Sequence, residues 1–121
     1  MSNYTMEELE ETLQIVNSAI IRCEKIMYKF KEGSSHYTLL KNRLKALYIS
    51  KSLIIKENIK GKFTVEELIT ALKPISSIIS KCEKAQLKFS EGSSYHSRFN
   101  NMIKAMYISK SLINYEINIR G

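Results

Sequence analysis

The chain is written twice. Thr5-Met6-Glu7-Glu8-Leu9 returns as Thr64-Val65-Glu66-Glu67-Leu68, and Arg22-Cys23-Glu24-Lys25 returns as Lys81-Cys82-Glu83-Lys84. Glu32-Gly33-Ser34-Ser35 returns as Glu91-Gly92-Ser93-Ser94, and the run Leu47 to Ile54 returns as Met106 to Ile113. Every match has the same offset of 59 residues. A duplicated supersecondary unit cannot bury its apolar face alone, so it stacks that face on its twin. The 121 residues therefore read as one domain, 1–121, with a first repeat at 4–61 and a second at 63–121. A chain of this length supports one core and not two. A polar residue kept in both copies is the better candidate for a role.

Each copy reads as a helix–turn–helix hairpin. Thr5 and Thr64 are N-caps with Glu8 and Glu67 three residues on, the reciprocal pattern that satisfies two free N–H groups. Tyr4 with Leu9, and Phe63 with Leu68, stand where a hydrophobic staple closes over the first turn. The first helix then carries Leu9, Leu13, Val16, Ile20, Cys23, Met27 and Phe30 along one narrow stripe, and the third repeats it with Leu68, Leu72, Ile75, Ile79, Cys82, Gln86 and Phe89. Gly33 and Gly92 end these helices, and the serine pairs behind them cap the next ones. So short a connection makes antiparallel neighbours. The second helices extend from about Ser35 to Ile59 and from about Ser94 to Ile119, while Pro74 is expected to kink or restart the third. The fold class is all-α: four helices of about 25 residues in an up-down four-helix bundle with pseudo-twofold symmetry.

Composition narrows the partners. The net charge is +7 with a pI near 9.4, and all twelve acids are Glu. Such a chain attracts anions: nucleotides, nucleic acid or acidic protein. No apolar stretch approaches the roughly 18 residues of a membrane span. Met1-Ser2-Asn3-Tyr4 leads directly into a cap without a signal-peptide pattern. The two cysteines occupy equivalent positions rather than a clip, and a reduced, cytoplasmic protein is expected.

Three duplicated features are candidates for an anion site. Lys51 and Lys110 fall near the middle of the inward stripes of the second and fourth helices, where a lysine either snorkels to water or holds a buried anion. Lys45, Tyr48 and Ser52 share one helix side, as do Lys104, Tyr107 and Ser111, placing an ammonium beside a ring suited to phosphate and base. Ser34 and Ser35, with Ser93 and Ser94, begin helices whose free N–H groups favour anions. Each has a plainer reading as a solvated face, a half-buried tyrosine or an ordinary cap.

Catalysis finds little support. His36 and His96 lie one position out of register between the copies, and each reads as a surface residue near a turn. Cys23 and Cys82 sit in core stripes, where a thiol packs but does not attack. No zinc spacing, di-iron Glu-x-x-His pair or phosphate-cradling glycine loop is present, so the chain reads as a non-enzyme without cofactor or metal. Basic residues spread over all four helices, with Arg only at 22, 43, 98 and 120, which argues against one recognition helix on nucleic acid. A second apolar line, Ala46, Ile49 and Leu53 with Ala105, Ile108 and Leu112, calls for packing on two sides, either between hairpins or in a homo-oligomer.

The segment Leu-x-Asn-Arg-Leu-x-Ala-Leu from Leu40 to Leu47, set after a helix–Gly-Ser-Ser turn, resembles small phage-encoded helical hairpins. Among them are sponges that sequester cyclic nucleotide signals of bacterial immunity. The resemblance covers one hairpin at a time, transfers no ligand contact to a particular residue, and the tandem duplication departs from it. It implies a protein of a phage or mobile element that sequesters a nucleotide. The expected function is capture of a small phosphate-bearing ligand, in sites related by the internal twofold. A protein-interaction or inhibitor module and a non-specific nucleic-acid binder are the alternatives.

Overall fold

A computed structural model describes residues 3–121. Four helices account for 91 of them: α1 (Met6–Met27), α2 (Ser35–Ile54), α3 (Val65–Gln86) and α4 (Ser94–Arg120). No strand occurs among the described residues, and the helices pack as a four-helix bundle. None of the helices is long and apolar enough to cross a membrane.

The caps form as their residues demand. The Thr5 hydroxyl accepts from the Glu8 N–H at 3.0 Å, and the Glu8 carboxylate accepts from the Thr5 N–H at 3.0 Å. Thr64 and Glu67 repeat this at 3.1 and 2.9 Å. At the other end α1 and α3 stop at Met27 and Gln86, short of the glycines, because their last turns tighten. The N–H groups of Lys29, Phe30, Lys88 and Phe89 each bond three residues back. Gly33 and Gly92 then adopt φ of +91° and +90°, a conformation glycine takes without steric cost. An aromatic stack closes each turn: Phe30 on His36 at 5.0 Å between centroids, and Phe89 on Tyr95 at 4.9 Å.

Two elements depart from expectation. α3 continues unbroken through Pro74 instead of restarting there. Proline leaves the Thr70 carbonyl without its helical donor, but both residues face an open groove between α2 and α3 rather than the core. Second, α2 ends at Ile54, five residues early, whereas α4 runs on to Arg120. Lys56 takes φ +62°, its N–H bonds the Leu53 carbonyl at 3.1 Å, and the Glu57 N–H bonds the Ser52 carbonyl at 2.9 Å. This is the double hydrogen bond of a left-handed helix stop, made without glycine. The connection must turn back here to start α3, and buried Ile59 anchors it. A β-carbon in the left-handed region costs about 1 kcal/mol. Lys56→Gly is therefore expected to raise the urea midpoint by a stabilisation of about that size; a lower midpoint would contradict the assigned strain.

α1 packs on α2 and α4, α3 packs on α2 and α4, and α2 touches α4 across the centre, while α1 and α3 do not pack together. Small residues sit at the middle of both central helices: Ala46, Ser50, Ala105 and Ser109 are all fully buried. Side chains this short let two backbones approach. The second apolar line is absorbed here, with Ile49, Ile108 and Leu112 buried and Leu53 half-buried within one chain. The need for a partner copy that this line suggested is met internally. The Ser50 hydroxyl donates to the Ala46 carbonyl at 2.9 Å, but its counterpart Ser109 has no hydrogen-bond partner among the described residues. An unsatisfied buried hydroxyl costs about 1–3 kcal/mol. Ser109→Ala should accordingly stabilise the protein by about 1 kcal/mol, with Ser50→Ala near neutral; equal losses in both would refute the assignment.

Candidate anion-binding cleft

The duplicated polar residues are dispersed by the fold. Ser34 and Ser93 lend their hydroxyls to the N–H groups of Tyr37 and His96 at 3.2 Å, as caps do, and Ser35 and Ser94 are exposed beside them. Lys51 lies 16 residues further along α2 than Ser35, about 24 Å at 1.5 Å per residue. Lys110 stands in the same relation to Ser94 on α4. The serine turns and the half-buried lysines thus belong to opposite ends of the bundle. Lys45 pairs with the capping-box Glu67 of the other repeat, which holds that carboxyl below its ordinary range. Lys104 lines a groove with Glu8, its counterpart across the repeats. The Tyr48 hydroxyl donates to Glu24 at 2.7 Å, and that bond pushes the phenol up; Tyr107 is exposed. These residues cap, pair and solvate, and the fold does not gather them around one ligand.

A different set does converge. Because α1 and α3 do not pack together, a cleft of about 750 Å³ opens between α1 on one side and α3 and α4 on the other. α1 contributes Arg22, α2 contributes Arg43 from below, α3 contributes Lys81 and α4 contributes Arg98. Three of the four arginines in the chain meet here, and no carboxylate lines the cleft. Among the described residues, none of these four cations has an acidic partner within 4.0 Å. Tyr95 and Phe99 form an aromatic wall, while Gln14, Ser18 and Asn101 add neutral donors and acceptors. The volume lies within the range of small-molecule sites, which pair apolar walls with a few convergent polar groups.

Arg43 sits deepest in this arrangement. Its residue is half-buried, and its Nη2 is buried with no hydrogen-bond partner among the described residues. A guanidinium carries five N–H donors and cannot shed its charge, so an unsatisfied one destabilises the fold. The charge also reaches the cysteines. Burial raises both thiols above their ordinary value, opposed at each by the positive charges of Arg43 and Arg22. Cys23 is buried, but Cys82 is only half-buried because the cleft opens over it. The equivalence expected of the two thiols fails there.

The duplication breaks down at the cleft. Arg43 corresponds to Met102, Arg98 to Leu39, Tyr95 to His36 and Phe99 to Leu40; only Arg22 and Lys81 are basic in both copies. The equivalent groove between α2 and α3 holds about 480 Å³, lined by Leu39, Pro74, Lys73 and the far side of Arg43. Selecting residues by their presence in both copies therefore passed over Arg43 and Arg98. The usable signal was the pairing of Arg22 with Lys81, each directly before its cysteine. No protein-family model matches the chain, and neither a curated protein nor a solved structure matches it.

Proposed function

We propose that this protein is a non-enzymatic binder that captures a small phosphate-bearing ligand, a nucleotide signal, in the cleft between α1 and α3–α4. One observation carries the reading: a half-buried Arg43, whose Nη2 has no hydrogen-bond partner among the described residues, stands with Arg22, Lys81 and Arg98 in a cleft that no carboxylate lines. Four like charges repel one another in the free protein, and a multivalent anion relieves that repulsion while filling the donors of Arg43. Arginine suits this task because its planar fork bonds two phosphate oxygens at once. Among the described residues no carboxylate or histidine lines the cleft, and burial raises the Cys82 thiol above its ordinary value. The resemblance of the hairpin that carries the Leu40–Leu47 segment to small phage-encoded helical hairpins, nucleotide sponges among them, favours a nucleotide as the ligand class and sequestration as the outcome.

A thermal-shift and calorimetric screen against pyrophosphate and mono-, di- and cyclic nucleotides tests this, with short duplex DNA as comparator. A ligand at 100 times its dissociation constant adds about 2.7 kcal/mol and raises the melting temperature by several degrees. Silence from every small anion would overturn the reading. Binding of DNA alone, weakening steeply with salt, would replace it with the phosphate-tracking alternative.

A further inference from the structure

The two halves of the chain do not offer the same site, and the difference identifies how a ligand sits. In the second repeat the ring of Tyr95 lies over Phe89, and Phe89 also stacks on Phe99 at 5.8 Å. Tyr95 is 55% exposed and lines the cleft, so a ring already braced from behind presents itself to an incoming planar group. The cations stand along the same cleft, from Arg98 one helical turn beyond Tyr95 to Arg43 below. An aromatic platform beside a cluster of guanidinium groups matches a molecule with a flat base at one end and phosphates at the other. An inorganic polyphosphate has no use for the platform, and a nucleic-acid strand leaving the cleft along the adjoining α1–α4 groove would pass the carboxylates of Glu8 and Glu11.

Resting on the reading above, we infer that each chain binds one nucleotide carrying at least two phosphate charges, its base stacked on Tyr95 and its phosphates on Arg22, Arg43, Lys81 and Arg98. The first repeat does not provide a second site. Its groove lacks counterparts of Arg43 and Arg98, and Leu40 replaces the ring of Phe99. Arg43 lines both clefts, so its single charge serves one of them at a time.

Titration calorimetry of the full chain with ADP, GDP, CDP, UDP and pyrophosphate decides the matter, repeated on Tyr95→Ala and Tyr95→His. The expected result is one site per chain, with at least one nucleoside diphosphate binding about tenfold or more tightly than pyrophosphate. Tyr95→Ala should erase that advantage and leave pyrophosphate binding unchanged. Tyr95→His installs the ring that His36 provides in the first repeat and should restore most of it; circular dichroism verifies the fold of both variants. Two sites per chain, or nucleotide binding indifferent to Tyr95→Ala, overturns the inference while the anion cleft stands. Pyrophosphate binding with no preference for any nucleotide does the same. No binding of either probe class removes the cleft reading itself.

Discussion

The Arg43→Met variant is expected to lose its thermal response to phosphate-bearing ligands while melting no lower than the parent chain. The two effects have one cause. The buried Nη2 of Arg43 has no acceptor among the described residues, and Arg22, Lys81 and Arg98 add like charge around the same cleft. Methionine keeps much of the side-chain length, removes the unsatisfied donor, and packs against the same apolar stem contacts. The equivalent position of the second repeat already carries Met102, so the local helix accepts that residue. In the complex, removing one partner of a buried charge pair costs about 2–5 kcal/mol, a loss of roughly 30-fold or more in affinity. Calorimetry and thermal melts on the same preparations check both halves. A variant that melts well below the parent would mean that Arg43 is a structural residue, and an unchanged ligand response would mean that the cleft is not the site.

Leu47→Ala and Met106→Ala should each destabilise the protein by about 2–5 kcal/mol, a large share of the total stability of such a domain. Both side chains are fully buried at equivalent places on α2 and α4. Those helices touch across the centre, so the two repeats share a single core. Urea denaturation followed by circular dichroism measures the cost, with an unchanged slope expected if each unfolding remains two-state. Because the helices meet, the double variant should depart from the sum of the single losses. A cost below about 1 kcal/mol at either position would contradict the burial of that side chain, and strict additivity would mean that the two side chains do not couple across the α2–α4 contact.

How much of this was legible beforehand depends on how local the cause is. The capping boxes of Thr5 and Thr64 and the positive φ of Gly33 and Gly92 arise within four or five residues, and they appear where the sequence places them. The end of α2 was not legible. Ser52 to Ile59 carries no proline or glycine, and the helix continues through the matching stretch of the second repeat. What stops it at Ile54 is the need to return toward α3 and to bury Ile59, a requirement of the whole bundle. Pro74 is the converse case. A residue that breaks helices in isolation is tolerated where the affected carbonyl faces an open groove and packing holds both ends.

The candidate site divides in the same way. Residues repeated in both copies turned out to be those that a hairpin needs twice: Ser34 and Ser93 as caps, and Lys45 as the partner of a capping glutamate. Repetition reports shared structural demands, because both copies must fold by the same contacts. Arg43 and Arg98 are single-copy residues, 55 positions apart, and nothing in their neighbourhoods along the chain relates them. The sequence alone determined the four helices, their caps, their turns and the apolar stripes that join the hairpins, since each follows from short-range spacing. Only the tertiary structure decided that α1 and α3 stand apart, that the gap gathers four cations and two aromatic rings, and that one half of a duplicated chain differs from the other. Those outcomes depend on how four helices share a finite apolar surface, and that balance is struck across the whole core rather than along any one segment.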